Sequence, residues 1–286
     1  MTTVSKVMET KLITIDINDS VSRAQEIMRE NRIGCLPVLN NGELAGIITT
    51  WDTIVSKPDA KIADAMTTPV ISVEPTTSIW EAKELMEKKN IERLIVLEND
   101  QLVGLVTKTN LFCEVATHYD ILTQLNKKDY LIYQGVKLLE NGHEISVIFI
   151  DLDGFGEIDK EYGHMYGDYI LKEIGNLLKE AVPKDCFLCR YAGDEFAVLT
   201  PYEQERCIEL ARELLEIISN EKYGIERVGV TGSAGIAGGR RHPARSSLDY
   251  ADDVENLFNL ASLASTKAKR IKKRIVVAEG LNYKVE

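Results

Sequence analysis

The chain has 286 residues, 44% of them hydrophobic, and a formal net charge of −11, a balance typical of two globular domains with buried cores. The acidic charge makes nucleic acid an unfavourable partner, because neutralisation of phosphates by Lys and Arg supplies most non-specific affinity for DNA. The sequence shows no export signal and no apolar run of membrane-spanning length, and its five cysteines favour reduced thiols. We therefore expect a cytoplasmic protein that binds small ligands and associates with neither nucleic acid nor membrane.

The first third of the chain contains an internal repeat. Met8 aligns with Met66, 58 positions later, and the same offset aligns Ser20 with Ser78 without a gap. Apolar periodicity and turn residues predict the order strand, helix, strand, strand, helix in each repeat. In the first repeat the predicted elements are an extended segment at 12–15, a helix at 21–30 capped by Ser20, strands at 35–39 and 44–49, and a turn at 40–42.

The segments GIITTWD (46–52) and GLVTKTN (104–110), with the entry segments at Met8 and Met66, resemble the CBS family. The resemblance implies a tandem CBS pair within residues 1–112, with repeats at about 4–54 and 62–112, that binds an adenine nucleotide in its cleft. The alternative is a pair that only dimerises.

By this resemblance, Thr49 and Asp52 contact the phosphate and ribose of the regulatory ligand, and Thr107 and Asn110 are their counterparts in the second repeat. Asn110 stands where the family has Asp, and an amide is a weaker acceptor for ribose hydroxyls than a carboxylate. We therefore expect at most one good site.

The junction between the repeats and the rest of the chain has no Gly or Pro over residues 111–125. This composition predicts a connecting helix at about 113–128, which would be stiff enough to transmit a movement of the repeats. A helix that joins two domains for structural reasons alone is the alternative.

The second domain combines two acidic turns. The apolar segment 145–150 predicts a buried strand that ends at Asp151, and Gly154 and Gly156 follow, where backbone N–H groups can approach phosphate. Residues 190–199 predict a β-hairpin with acids at its tip, so that Asp151 and Asp194 could share Mg²⁺ with a triphosphate. The nearby Cys186 and Cys189 form a CxxC, but no second pair completes a zinc site, so we interpret them as buried thiols.

Five segments between residues 120 and 280 together resemble the GGDEF family of diguanylate cyclases. They are DILTQL (120–125), DLDGFGEIDKEYGHMYGD (151–168), AGDEF (192–196), TGSAGIA (231–237) and Ala268-Lys269. The resemblance implies a domain over residues 120–286 with a central, mostly antiparallel sheet, so that the whole chain has an α/β and α+β fold. It also implies a homodimer that condenses two GTP into cyclic di-GMP, because each subunit holds one nucleotide.

The resemblance also assigns roles to individual residues. Asp151, the Leu152 carbonyl and Asp194 would bind Mg²⁺ or Mn²⁺, and Glu195 would act beside the attacking 3′-hydroxyl. The remaining nucleotide contacts would come from Gly154, Phe155 and Gly156 to the phosphates, from Lys269 and Lys273 to phosphate, from Arg190 as a supporting charge, and from Asp159 and Asp168 to the base.

Several positions depart from the family pattern. Asp159 replaces the usual Asn, and an ionised carboxylate can only accept hydrogen bonds, so the guanine code is altered at one of its two positions. Gly156 replaces a frequent Lys, Lys273 replaces an Arg, and Ala192 replaces a Gly. The positions of the product-inhibition motif RxxD hold Pro183 and Cys186, which predicts no product feedback by that route.

These observations leave three functions open. The first is a diguanylate cyclase that uses GTP and is switched by an adenine nucleotide. The second is a cyclase or nucleotidase with altered base choice that uses ATP, as Asp159 indicates. The third is a catalytically silent nucleotide sensor, as the missing Lys and Arg indicate.

Overall fold

The computed structural model describes residues 2–238 and 250–278 of the chain. It divides into two compact units between Ala116 and Thr117. Within the described part of the chain, no helix is both long and apolar enough to span a membrane.

The first unit contains the two repeats, each with a three-stranded sheet. Its elements are β1 (Ile15–Asp16), α1 (Val21–Asn31), β2 (Cys35–Asn40), β3 (Glu43–Thr49), α2 (Thr50–Val55), α3 (Ile62–Ala65), β4 (Ser72–Val73), α4 (Ile79–Lys89), β5 (Arg93–Glu98), β6 (Gln101–Thr107) and α5 (Lys108–Ala116). The sheets have the equivalent orders β1-β2-β3 and β4-β5-β6, each with one parallel and one antiparallel pairing. The repeated sequence therefore gives repeated topology.

Local signals in the first repeat act as the sequence predicts. The Ser20 side chain accepts a hydrogen bond from the Arg23 backbone N–H and so caps α1. Asn41 and Gly42 form the β2–β3 turn with positive φ angles of 53° and 90°, a conformation that Asn and Gly tolerate better than other residues. The first predicted strand is shorter than expected, because only Ile15 and Asp16 pair with β2.

The two repeats exchange their entry segments. The segment around Met8 pairs with the second repeat through a bridge between Glu9 and Leu105, and the segment after Met66 pairs with the first through a bridge between Ile47 and Thr67. Gly104 faces Met8 in this arrangement, and a Cβ at Gly104 would lie 2.8 Å from the Met8 sulfur. The absence of a side chain at this position therefore admits the methionine of the other repeat.

Unit 2 is built on one five-stranded sheet. Its elements are α6 (Lys128–Glu140), β7 (Ser146–Leu152), α7 (Phe155–Tyr162), α8 (His164–Ala181), β8 (Phe187–Ala192), β9 (Glu195–Thr200), α9 (Gln204–Asn220), β10 (Lys222–Tyr223), β11 (Val228–Gly229), β12 (Gly232–Gly238), α10 (Tyr250–Arg270) and β13 (Ile275–Val277). The order of the large sheet is β13-β12-β7-β9-β8, and every pairing except β12–β13 is antiparallel. The prediction of a central, mostly antiparallel sheet is confirmed.

Both faces of this sheet are covered by apolar packing. The alternation of side chains along β7 sends Ile148 and Ile150 to the core shared with α8 and α9, and Val147 and Phe149 to the core shared with α6 and α10. Gly235 lies where α10 crosses β12, and a Cβ there would overlap the backbone of α10 at Ala261 and Ser265. This close approach fixes the position of α10 over β12, next to the edge strand β13.

The predicted connecting helix over 113–128 is wrong, because α5 ends at Ala116 and no helix begins before Lys128. The Asp120 carboxylate accepts hydrogen bonds from the Thr123 backbone N–H and hydroxyl, at 2.8 and 2.7 Å, which favours a turn over a helix. The apolar residues of this segment have another role: Leu125 is buried in the core of the second unit. The segment is thus an anchored turn of that unit.

Candidate functional site

The two acidic turns meet at one end of the large sheet. Asp151, near the end of β7, pairs in register with Glu195 at the start of β9 and with Ser233 on β12. The Leu152 N–H lies 3.3 Å from the Asp194 carbonyl oxygen, so the hairpin tip lies beside the end of β7. The structure therefore brings together the three acids that the sequence predicts to bind the metal or to act on the 3′-hydroxyl.

Lys269 completes this cluster from α10. Its ammonium donates hydrogen bonds to Asp151 Oδ1 at 2.5 Å and to the Leu152 carbonyl oxygen at 2.7 Å. These two oxygens converge on a single cation, and both are hard ligands of the kind that Mg²⁺ and Mn²⁺ prefer. The donor set therefore fits the divalent metal that the family resemblance implies.

Burial and like charges shape the electrostatics of the cluster. Burial raises the pKa of Asp151, the contact with Lys269 opposes this effect, and the carboxylates of Asp194 and Asp153 add to it. Burial also raises the pKa of Glu195, again with the help of Asp151 and Asp194. The cluster therefore concentrates negative charge that favours the binding of a cation.

Asp153, the first acid after β7, binds hydroxyl groups on the neighbouring part of the sheet. Its two carboxylate oxygens accept hydrogen bonds from the hydroxyls of Thr231 and Ser233, at 2.8 and 2.9 Å. These contacts tie the β7–α7 turn to β12 and distinguish the structural Asp153 from Asp151.

The turn after β7 presents backbone N–H groups at the start of α7. Gly154 has a φ of 64°, and as the N-cap residue it has no side chain that could accept from the first N–H groups of this helix. Phe155 is buried and anchors the turn, whereas a Cβ at Gly156 would meet no atom within 4 Å. The geometry suits phosphate, and space exists at 156 for the lysine that is frequent in the family.

The two positions predicted to contact the base, Asp159 and Asp168, lie on α7 and α8. The Asp159 carboxylate lies 3.1 Å from His164 Nδ1 and rests over Gly167, where a Cβ would overlap it. Asp168 is the next residue of α8 and is exposed. Sequence reasoning did not predict the contact of Asp159 with His164, which places a group that can donate hydrogen bonds beside a carboxylate that cannot.

Arg190 braces the hairpin from within the protein. Its guanidinium donates to Asp120 at 3.0 Å and to the Gly193 carbonyl at 2.9 Å. Although burial acts to raise the pKa of Asp120, the hydrogen bonds from Thr123 and Arg190 outweigh it and lower that pKa. Asp120 is the positioning residue that sequence reasoning missed, because its partner lies 70 positions away.

The remaining predicted positions have separate surroundings. Lys273 is exposed on the turn after α10. Ala192 is absent from the residues with positive φ, so its methyl group is tolerated, and the sharp turn falls on Gly193 with a φ of 49°. Cys186 and Cys189 are free and buried, and burial raises the pKa of Cys186 to about 11. Among the described residues no group of three His, Cys, Asp or Glu side chains is arranged to hold a metal.

The first unit has two candidate ligand positions, at the starts of α2 and α5. Thr49 and Asp52 form a capping box in which the Asp52 carboxylate accepts from the Thr49 N–H and hydroxyl, both at 2.7 Å. In the second repeat the Thr107 hydroxyl accepts from the Asn110 N–H, and the Asn110 amide donates to Glu9 at 3.2 Å. The equivalent positions therefore have different partners.

These two units correspond to known families. The profile described as "Diguanylate cyclase, GGDEF domain" matches residues 117–274, and that described as "CBS domain" matches residues 4–55 and 62–116. The chain belongs to the GGDEF family and carries a tandem pair of CBS domains.

Individual relatives match one unit or the other. CBS domain-containing protein YhcV of Bacillus subtilis is 29% identical over 117 residues, which are 39% of this chain and 84% of that protein. Diguanylate cyclase DosC of Escherichia coli is 31% identical over 171 residues, 56% of this chain and 35% of DosC. The coiled coil and GGDEF domain of DgcB from Caulobacter crescentus has the same fold, with a TM-score of 0.51, 20% identity, and coverage of 58% of this chain and 88% of that chain.

Proposed function

We propose that this protein is a diguanylate cyclase that condenses two GTP into cyclic di-GMP and two pyrophosphates. The observation that carries this proposal is that the Asp151 carboxylate and the Leu152 carbonyl both bind the Lys269 ammonium. These two oxygens, beside Asp194 and Glu195, could bind a metal ion in the same way. Membership of the GGDEF family and the similarity to DosC, which is named a diguanylate cyclase, support it.

Different residues of the chain would have different roles in the reaction. A bound Mg²⁺ or Mn²⁺ would neutralise charge on the triphosphate and on departing pyrophosphate. The N–H groups of Phe155 and Gly156 would orient the phosphates, and Glu195 would take the proton of the attacking 3′-hydroxyl. A bond forms between that oxygen and the α-phosphorus of the other nucleotide, and the α–β phosphoanhydride bond breaks. Because each chain holds one nucleotide, two copies must meet as a homodimer.

The choice of base has a second candidate. Asp159 and Asp168 present two carboxylates, which suit the N1–H and amino donors of guanine. The Asp159 carboxylate can only accept hydrogen bonds, and it could equally accept one from the exocyclic amino group of adenine, so ATP is the alternative substrate.

The CBS pair would regulate this activity by binding an adenine nucleotide. In the first repeat, Thr49 and Asp52 would exchange their mutual contacts for contacts with phosphate and ribose. In the second repeat, Thr107 and Asn110 are the corresponding contacts. An adenine nucleotide added at saturation should then change the rate of pyrophosphate release.

The decisive experiment incubates the purified protein with Mg²⁺ and GTP, ATP or both, and identifies the products by mass spectrometry. We expect cyclic di-GMP from GTP, and none after Asp194→Ala. Glu205→Ala, which removes an exposed acid from the first turn of α9, is the matched control and should keep wild-type activity. An adenine-containing cyclic dinucleotide would favour the second candidate, and the absence of any product with and without adenine nucleotide would overturn both.

A further inference from the structure

The contact of Lys269 with the acidic cluster has a consequence for metal binding. Its ammonium is bound to both the Asp151 carboxylate and the Leu152 carbonyl, the same two oxygens that are proposed to hold the metal. The pair is partly buried, since the side chains of Lys269 and Asp151 are 30% and 17% exposed. An ammonium and a divalent ion cannot occupy one position between these oxygens.

The fold holds Lys269 in this place. The close packing of α10 on β12 at Gly235 fixes the helix, and the Ser265 hydroxyl donates to the Ser233 carbonyl at 3.2 Å one turn before the lysine. Ser233 is in turn the register partner of Asp151 on β7. The lysine therefore meets the aspartate through rigid elements and not through a chance surface encounter.

The cluster also needs a cation. The carboxylates of Asp194 and Glu195 lie near Asp151, and like charges in a partly buried place repel each other unless a positive group is close. The guanidinium of Arg190 is bound to Asp120 and the Gly193 carbonyl. Lys269 is thus the cation that contacts Asp151 in the described structure.

We propose that Lys269 is an internal counter-ion of the metal-free site, which competes with the divalent metal until a nucleotide offers the ammonium its phosphates. This inference rests on the metal site of the proposed function. It implies that metal alone binds weakly and that metal and nucleotide strengthen each other's binding, as linkage requires.

The test is a titration of nucleotide-free protein with Mn²⁺, in which free Mn²⁺ is measured by electron paramagnetic resonance. Lys269→Met removes the charge and keeps an unbranched side chain, and we expect it to bind Mn²⁺ at least about tenfold more tightly than the wild type, which corresponds to about 1.4 kcal/mol. Lys267→Met, an exposed lysine of the same helix, is the control for net charge and should bind as the wild type does.

A second measurement follows the melting temperature. In a chelator Lys269→Met should melt below the wild type, and Mn²⁺ should raise its melting temperature more than it raises that of the wild type. Lys269→Gln serves in the same assays if the methionine variant does not fold. Unchanged or weaker Mn²⁺ binding by a folded Lys269 variant, or equal stabilisation by Mn²⁺, would overturn the inference.

These outcomes are separate from the fate of the proposed function. If Lys269→Met gains Mn²⁺ affinity while the wild type makes no cyclic dinucleotide, the counter-ion role stands and the cyclase proposal fails. If the wild type makes cyclic di-GMP and Mn²⁺ affinity is unchanged in the variant, the cyclase proposal stands and the counter-ion role fails.

Discussion

The two units keep their candidate sites in order by different means. In the first, Thr49 and Asp52, three positions apart at the start of one helix, form hydrogen bonds with each other. In the second, Asp151 and Lys269 are 118 positions apart and meet only because the sheet and α10 are packed. A site of the first kind depends on local hydrogen bonds, whereas a site of the second kind depends on the stability of the whole domain, and this difference can be tested by mutation.

The largest effect is expected where α10 crosses the sheet. Gly235→Ala would force a methyl group into the backbone of the helix at Ala261 and Ser265, and we expect the free energy of unfolding of the second unit to fall by about 3 kcal/mol. Denaturant unfolding, followed with a separate spectroscopic probe in each unit, would measure this loss of stability. Gly156→Ala, at a position with open space, is the control and should change stability by less than about 1 kcal/mol. A loss of the same size in both variants would contradict the role of the crossing.

A smaller effect is expected from the local site. Thr49→Ala removes the hydroxyl of the capping box, and we expect the first unit to lose about 1 kcal/mol of stability. Thr107→Ala removes a single cap contact with the Asn110 N–H, and we expect it to lower the stability of the first unit by about 0.5 kcal/mol. Thermal unfolding of the two variants compares the repeats directly, and an equal or reversed order would count against the difference in their contacts.

A gain of function is expected at Gly156, in the first turn of α7, which is proposed to bind phosphate. Gly156→Lys restores a positive charge where a Cβ meets nothing within 4 Å, so we expect KM for the nucleotide to fall about two- to fivefold, the effect of one partly screened charge. Gly156→Gln fits the same space without charge and serves as the control. Steady-state pyrophosphate release measures both, and an equal KM in the two variants would show that the charge does not reach the phosphates.

The smallest effect is expected at the contact between Asn110 and Glu9, which is specific to the second repeat. Asn110→Asp would place a second carboxylate beside Glu9, and we expect stability to fall by a few tenths of a kcal/mol at low salt. The double variant Glu9→Gln with Asn110→Asp should recover the loss, because it exchanges the carboxylate and the amide between the two positions. Additive losses in this double-mutant cycle would show that the two side chains do not interact.

Local sequence signals predicted much of the fold. Ser20 marked the start of α1, the Asn41-Gly42 pair marked a turn, and the apolar run before Asp151 marked the central strand. The prediction of a connecting helix was wrong for two reasons. Apolar residues of the segment, such as Leu125, pack in the core of the second unit, and the Asp120 side chain accepts a hydrogen bond that favours a turn. Helix composition alone carries no information on either effect.

The acids of the candidate site were predicted, but their contacts were not. The family motifs named Asp151, Asp194 and Glu195 in short segments, and β-sheet register then brought these segments together. The contact of Lys269 with Asp151 and that of Arg190 with Asp120 join residues far apart in the chain. Such contacts depend on how helices pack on the sheet, which no local pattern specifies.

The exchange of entry segments between the repeats limits how this unit can change over evolution. Each repeat receives a bridging segment and a methionine from the other. Deletion of one repeat would therefore expose a sheet edge of the remaining repeat and would remove the methionine that packs on its glycine. A surviving single copy could be completed only by the same segment of another molecule. The two repeats therefore depend on each other for packing, although their charges can differ, as Asp52 in the first and Asn110 in the second do.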